Sequence, residues 1–105
     1  MKIVSLRPGV NASGHLVLSV DVSKMYLDCY IRFSDSNRRI LNTSTAVRAH
    51  LDELFQFAEK ENLPGILVAC EPSGGYERTL LETARAHGCR CVYVSGEQVA
   101  QLQKD

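Results

Sequence analysis

Asp21 and Glu71 stand apart from the other ten acidic residues by position. Asp21 closes an alternating segment, LVLSVDV at 16–22, which reads as a strand with a carboxylate near its C-terminal end. Glu71 follows the continuous apolar run Ile66-Leu67-Val68-Ala69-Cys70, too short for a helix and read as a central strand buried on both faces. If the two strands are parallel neighbours, both carboxylates emerge at one sheet edge, where sites in open α/β sheets gather. Two carboxylates forced together repel, and a divalent cation removes the repulsion. Oxygen-only ligands suit Mg²⁺ or Mn²⁺. Two-metal phosphoryl-transfer sites use such acids to hold ions about 4 Å apart, activating the attacking oxygen and stabilising the leaving one. A plainer reading stays open: Asp21 ends a strand and Glu71 caps the following helix.

Other side chains cluster near this pair in sequence. Ser73, Gly74 and Gly75 precede a helix, so their backbone N–H groups could cradle a phosphate, or the segment could be a flexible turn that allows tight packing. No Gly-Lys-Ser/Thr follows, which excludes a P-loop. Tyr76 is expected beside the acids at the helix start, as a core or rim aromatic. His15, His50 and His87 are scattered without an H-x-x-x-H pair and read as surface or helix-end residues. Cys29, Cys70, Cys89 and Cys91 form no C-x-x-C and read as buried, reduced thiols. No Ser/His/Asp or Cys/His constellation can be assembled.

The elements that must position these residues follow from hydrophobic spacing. After the first strand, Ser23-Lys24 is a two-residue connection. A second strand over 25–33 puts Leu27, Cys29, Ile31 and Phe33 on one face. Turn residues at 34–37 lead to a short third strand over 39–42. Thr43, Ser44 and Thr45 offer N-caps to a helix in which Val47, Leu51, Leu54, Phe55 and Ala58 recur at helical spacing. It should end near Asn62, before Pro64 and Gly65. A second helix is predicted over 76–87 with Gly88 past its end, then a strand over 89–94 and another helix over 97–103. The order β-β-β-α-β-α-β-(α) implies a mixed sheet with helices packed on it. Residues 1–14 read as a leader or edge segment, and 15–105 as the domain.

Composition bounds the rest. With 105 residues, 45% hydrophobic and 23% charged, there is room for one ordinary globular domain. No apolar run approaches the roughly 20 residues of a membrane span. The start MKIVSLRPGV lacks a signal-peptide apolar core, so a cytoplasmic protein without membrane partners is expected. Twelve basic residues balance twelve acidic ones. A strong nucleic-acid binder usually carries a positive excess, so any DNA contact must be local or supplied by other parts.

Asp21-Val22-Ser23-Lys24, followed about fifty residues later by Glu71-Pro72-Ser73-Gly74-Gly75-Tyr76-Glu77-Arg78, is a distinctive combination. It resembles the N-terminal domain of DEDD transposases of bacterial insertion sequences, the group that includes pilin-gene inversion recombinases and bridge-RNA-guided recombinases. Gly88-Cys89-Arg90-Cys91-Val92-Tyr93-Val94 fits that family's next strand, and Ser95-Gly96-Glu97-Gln98-Val99 fits its Asn-Pro-x-x-Val segment loosely, departing at Ser95 and Gly96. The resemblance implies an RNase H-like, RuvC-like α/β fold, with Asp21 and Glu71 as the first two catalytic acids and ligands of Mg²⁺ or Mn²⁺. It implies DNA as partner, with Lys24, Ser73, Gly74, Gly75, Tyr76 and Arg78 near the nucleic acid. A guide RNA and homo-oligomers belong to the same expectation for the intact protein.

In that family two further Asp residues come after the fifth strand. This sequence stops at Lys104-Asp105, so a domain truncated at its C-terminus, inactive in strand cleavage on its own, is expected. A non-catalytic regulatory or dimerisation module is the alternative. An actin-like or sugar-kinase-like phosphotransferase fits less well. Its first strand normally ends Asp-x-Gly-Ser/Thr, whereas Val22-Ser23-Lys24 follows Asp21 here, and a bulky Val blocks close approach of backbone to phosphate.

Overall fold

The alternation of 16–22 forms β1 (Leu16–Val22), and its two-residue hairpin leads into β2 (Tyr26–Ile31). In this computed structural model, which describes residues 9–11 and 13–95, the hairpin loop is Lys24-Met25 rather than Ser23-Lys24. Ser23 and Tyr26 close it: the Ser23 N–H and hydroxyl both donate to the Tyr26 carbonyl, at 3.0 and 2.9 Å. β2 ends two residues before Phe33, because Arg32–Ser34 tighten into a 3₁₀ turn. Asp35, in the left-handed region at φ 49°, completes the reversal in one residue. Ser36 and Asn37, read as turn residues, are therefore already paired with Ile31 and Tyr30, and β3 runs Ser36–Leu41 instead of 39–42.

Helix α1 spans Ser44–Lys60, with Thr43 as N-cap accepting from the Ala46 N–H. Its end is a Schellman turn built on Asn62 at φ 59°: the Leu63 N–H reaches the Ala58 carbonyl and the Asn62 N–H that of Glu59. β4 (Ile66–Cys70) is almost wholly buried, as its apolar run implies. α2 starts at Arg78, not Tyr76, and ends at Ala86. Gly74 and Gly75 hold positive φ, and residues 74–77 form turns before helical geometry begins. Gly88 closes α2 as Asn62 closes α1, with the Cys89 N–H on the Ala84 carbonyl. β5 is Arg90–Tyr93, and the helix predicted at 97–103 lies outside the described residues.

The sheet order is β3-β2-β1-β4-β5, antiparallel across β1–β2–β3 and parallel across β1–β4–β5. It is an α/β fold with a five-stranded mixed sheet. Both helices pack on one face, where Leu16, Leu18, Val20, Leu27, Cys29, Ile31, Val68 and Cys70 meet Val47, Leu51, Leu54, Leu80 and Ala84. On the opposite face Val17, Ser19 and Ala69 are buried, and Asp21, Asp28, Arg39, Tyr26 and Val92 lie toward its margins. Residues 9–11 pack as an edge segment rather than trailing loosely: Val10 bridges to Leu16, and the Val17 N–H donates to the Gly9 carbonyl. A Cβ on Gly9 would stand 2.3 Å from the Phe33 nitrogen, so only glycine fits.

Candidate functional site

Parallel pairing of β1 and β4 runs in register to Val20↔Cys70. Asp21 is the next residue on β1, and Glu71 is the first residue past the end of β4. Neighbouring strands lie about 4.8 Å apart, so the two backbone positions adjoin at the C-terminal edge of the parallel strands. Both side chains are exposed, and neither has a hydrogen-bond or ion-pair partner among the described residues. On its other side Asp21 faces Asp28 of β2 across the antiparallel pair. Directly opposed like charges destabilise a sheet. Here Arg39 on β3, opposite Asp28, takes that carboxylate in a two-pronged contact of 2.8 and 3.2 Å. The guanidinium holds the Asp28 carboxyl below its usual range. A row Arg39, Asp28, Asp21 thus crosses the face opposite the helices, and the unpaired negative charge lies at its Asp21 end.

The loop after β4 is organised by a residue that spacing did not single out. Glu77 is buried, and its Oε1 accepts from the Ser73 N–H, the Ser73 hydroxyl and the Gly75 N–H at 3.2, 2.7 and 3.0 Å. Its Oε2 accepts from the Tyr93 hydroxyl at 2.9 Å. These donors, led by Ser73, hold the Glu77 carboxyl down at about 2. The same contact raises the Tyr93 phenol. Of the two readings of Ser73, Gly74 and Gly75, a phosphate cradle or a turn for tight packing, the structure shows a turn closed from within, because the chain's own Glu77 carboxylate takes the N–H groups of Ser73 and Gly75. The legible signal was an acid four residues beyond Ser73 in a two-glycine turn.

Asn42, also missed, ties the edge together. Its Nδ2 donates to the Ser23 carbonyl and to the Tyr76 carbonyl, both at 2.9 Å. This joins the β1–β2 turn, which carries Lys24, to the loop that carries Tyr76. Lys24, Tyr76 and Arg78 are all exposed. Met25, Tyr26, Leu41 and Tyr76 form an unusual set of exposed large apolar groups on these same segments. Arg39 lies over the Tyr26 ring at 5.1 Å. Arg78 lines a groove of about 280 Å³ with Glu77, Arg85 and Tyr93.

Carboxylates at adjoining backbone positions fit Mg²⁺ or Mn²⁺ in donor type. No group of three or more His, Cys, Asp or Glu able to hold a metal occurs among the described residues. The histidines behave differently from expectation in one case. His87 does end α2, bonding Asp52 at 2.7 Å, whereas His50 is buried inside α1's apolar stripe. All four cysteines are free, with Cys29, Cys70 and Cys89 buried and Cys91 half-buried. No helix among the described residues is long and apolar enough to cross a membrane. No known family profile and no curated protein matches this chain.

Proposed function

We propose that the chain is an RNase H-like, RuvC-like domain of a DNA transposase or site-specific recombinase, and that Asp21 and Glu71 are the first two acids of its phosphoryl-transfer site. The observation that carries the reading is the in-register parallel pairing of β1 with β4, which sets the two acids side by side although fifty positions separate them. A divalent cation held there would supply charge neutralisation and polarise a phosphoryl oxygen. The chain's own residues have separate tasks. Glu77 fixes the loop behind Glu71, Asn42 fixes the turn behind Lys24, and the ion pair of Asp28 with Arg39 leaves Asp21 as the free acid of its row. Lys24 contributes positive charge at the same edge for a nucleic-acid backbone, and Tyr76 a stacking surface.

Two acids among the described residues make a partial ligand set, which predicts weak cation binding at this edge. The test is isothermal titration with Mn²⁺ of the chain and of Asp21→Ala. Weak binding that disappears in the variant supports the site, and equal affinities reject it. The exposed Met25, Tyr26, Leu41 and Tyr76 favour a second reading, a non-catalytic module that meets DNA, RNA or another copy through this edge. That reading predicts no Mn²⁺ binding in either protein.

A further inference from the structure

Glu71 opens a segment with little packing of its own. From Glu71 to Tyr76 every residue is exposed or half-buried. Gly74 and Gly75 hold positive φ, and a Cβ added at either would meet nothing within 4 Å. Such a loop has no fixed course unless polar ties set one. Asp21 needs no such device, because it lies within β1 and is paired with Asp28 of β2.

The ties come from the end of β5. The Val94 N–H donates to the Cys70 carbonyl at 2.9 Å, one residue before Glu71. The Tyr93 hydroxyl donates to Glu77 Oε2, also at 2.9 Å. Oε1 of the same carboxylate gathers the Ser73 N–H, the Ser73 hydroxyl and the Gly75 N–H. Two adjacent residues, Tyr93 and Val94, thus hold the segment both before and after Glu71. Pro72 stands between Glu71 and Ser73. Its ring fixes its own φ and keeps Glu71 out of the helical region, so the link is stiff and a shift of Ser73 is carried to Glu71.

We propose that Tyr93 and Glu77 are positioning residues for Glu71, so that β5, which carries neither acid, sets the geometry of the acidic edge. Tyr93 orients the Glu77 carboxylate, Glu77 fixes Ser73, and Ser73 fixes Glu71 through Pro72. The proposal rests on the reading of Asp21 and Glu71 as a cation-binding pair. It adds a third strand to a site whose acids belong to β1 and the end of β4.

The test has two arms, each run on the full chain and on Glu77→Ala, Glu77→Gln and Tyr93→Phe. The first is backbone ¹⁵N relaxation without metal. Glu71 and Ser73 should be as ordered as Asp21 in the unaltered chain and looser than Asp21 in Glu77→Ala and Tyr93→Phe. Glu77→Gln, which keeps an acceptor for Ser73 and Gly75, should restore order. The second arm is Mn²⁺ titration. Glu77→Ala should weaken binding about tenfold, as Glu71→Ala does, and Tyr93→Phe should weaken it less. In the Glu71→Ala background neither change should cost further affinity, since a residue acting through Glu71 has nothing left to position. Unmoved relaxation, or equal losses with and without Glu71, would overturn the proposal. A loosened loop in a chain that binds no Mn²⁺ at all would instead overturn the reading of the acidic pair and leave the clamp standing. Tyr93→Phe removes one hydroxyl from an exposed side chain and keeps both arms open if Glu77→Ala does not fold.

Discussion

The carboxylate of Glu77 accepts four hydrogen bonds while charged, so its ionisation is linked to folding. Its folded value of about 2 lies below its ordinary value of 4.5. The contribution to stability is therefore complete above pH about 4.5 and fades as pH falls from there toward 2. Urea unfolding across that range should show this loss, and Glu77→Gln should lessen it. Glu77→Ala should also speed hydrogen exchange at Ser73 and Gly75, whose N–H groups it releases. His50 gives the opposite expectation. Exchanging it for Leu removes two buried unpaired nitrogens at similar volume, and should raise stability by about 1 kcal/mol in urea melts. At this scale the sequence was half legible. His50 lies three residues from Val47 and four from Leu54, on the helix stripe that must face inward. Glu77 gave no such periodic signal, because its partners are loop donors and a tyrosine sixteen positions away.

Elements were best read where their ends are set locally. Thr43, Asn62 and Gly88 each terminate a helix through backbone groups a few residues off, so the helix limits lay close to expectation. At Gly88, φ is +89°, and an added Cβ would meet nothing within 4 Å. Gly88→Ala should therefore cost only the left-handed backbone conformation, about 1 kcal/mol in thermal or urea melts. A much larger loss would mean that the turn packs against something. The start of α2 and the limits of β3 were misplaced for one reason. A single left-handed Asp35, or two glycines and a buried carboxylate, replaced the longer turn or earlier helix that residue type alone suggests.

At the scale of the whole molecule, three buried thiols report on one core. Cys29 lies on β2, Cys70 on β4 and Cys89 at the start of the β5 segment. Burial pushes Cys29 and Cys89 up to about 12 and Cys70 to about 11, which removes the reactive thiolate at neutral pH. Iodoacetamide with mass-spectrometric detection should find these three unlabelled in the native protein. They should become reactive together across the denaturant range of global unfolding, with half-buried Cys91 ahead of them. Separate transitions would show that the sheet does not open as one unit.

The sequence alone settled the α/β class, the identity of five strands and two helices, and the placing of Asp21 and Glu71 at strand ends. Those features follow from periodicity and capping, which act within a few residues. Tertiary structure decided which strands adjoin, and hence that the two acids share an edge. It also decided that Arg39 occupies Asp28, that Glu77 fills the glycine loop, that Asn42 joins two turns and that His50 is enclosed without a partner. Each of these depends on the register between segments distant in the chain, and no local spacing records that register.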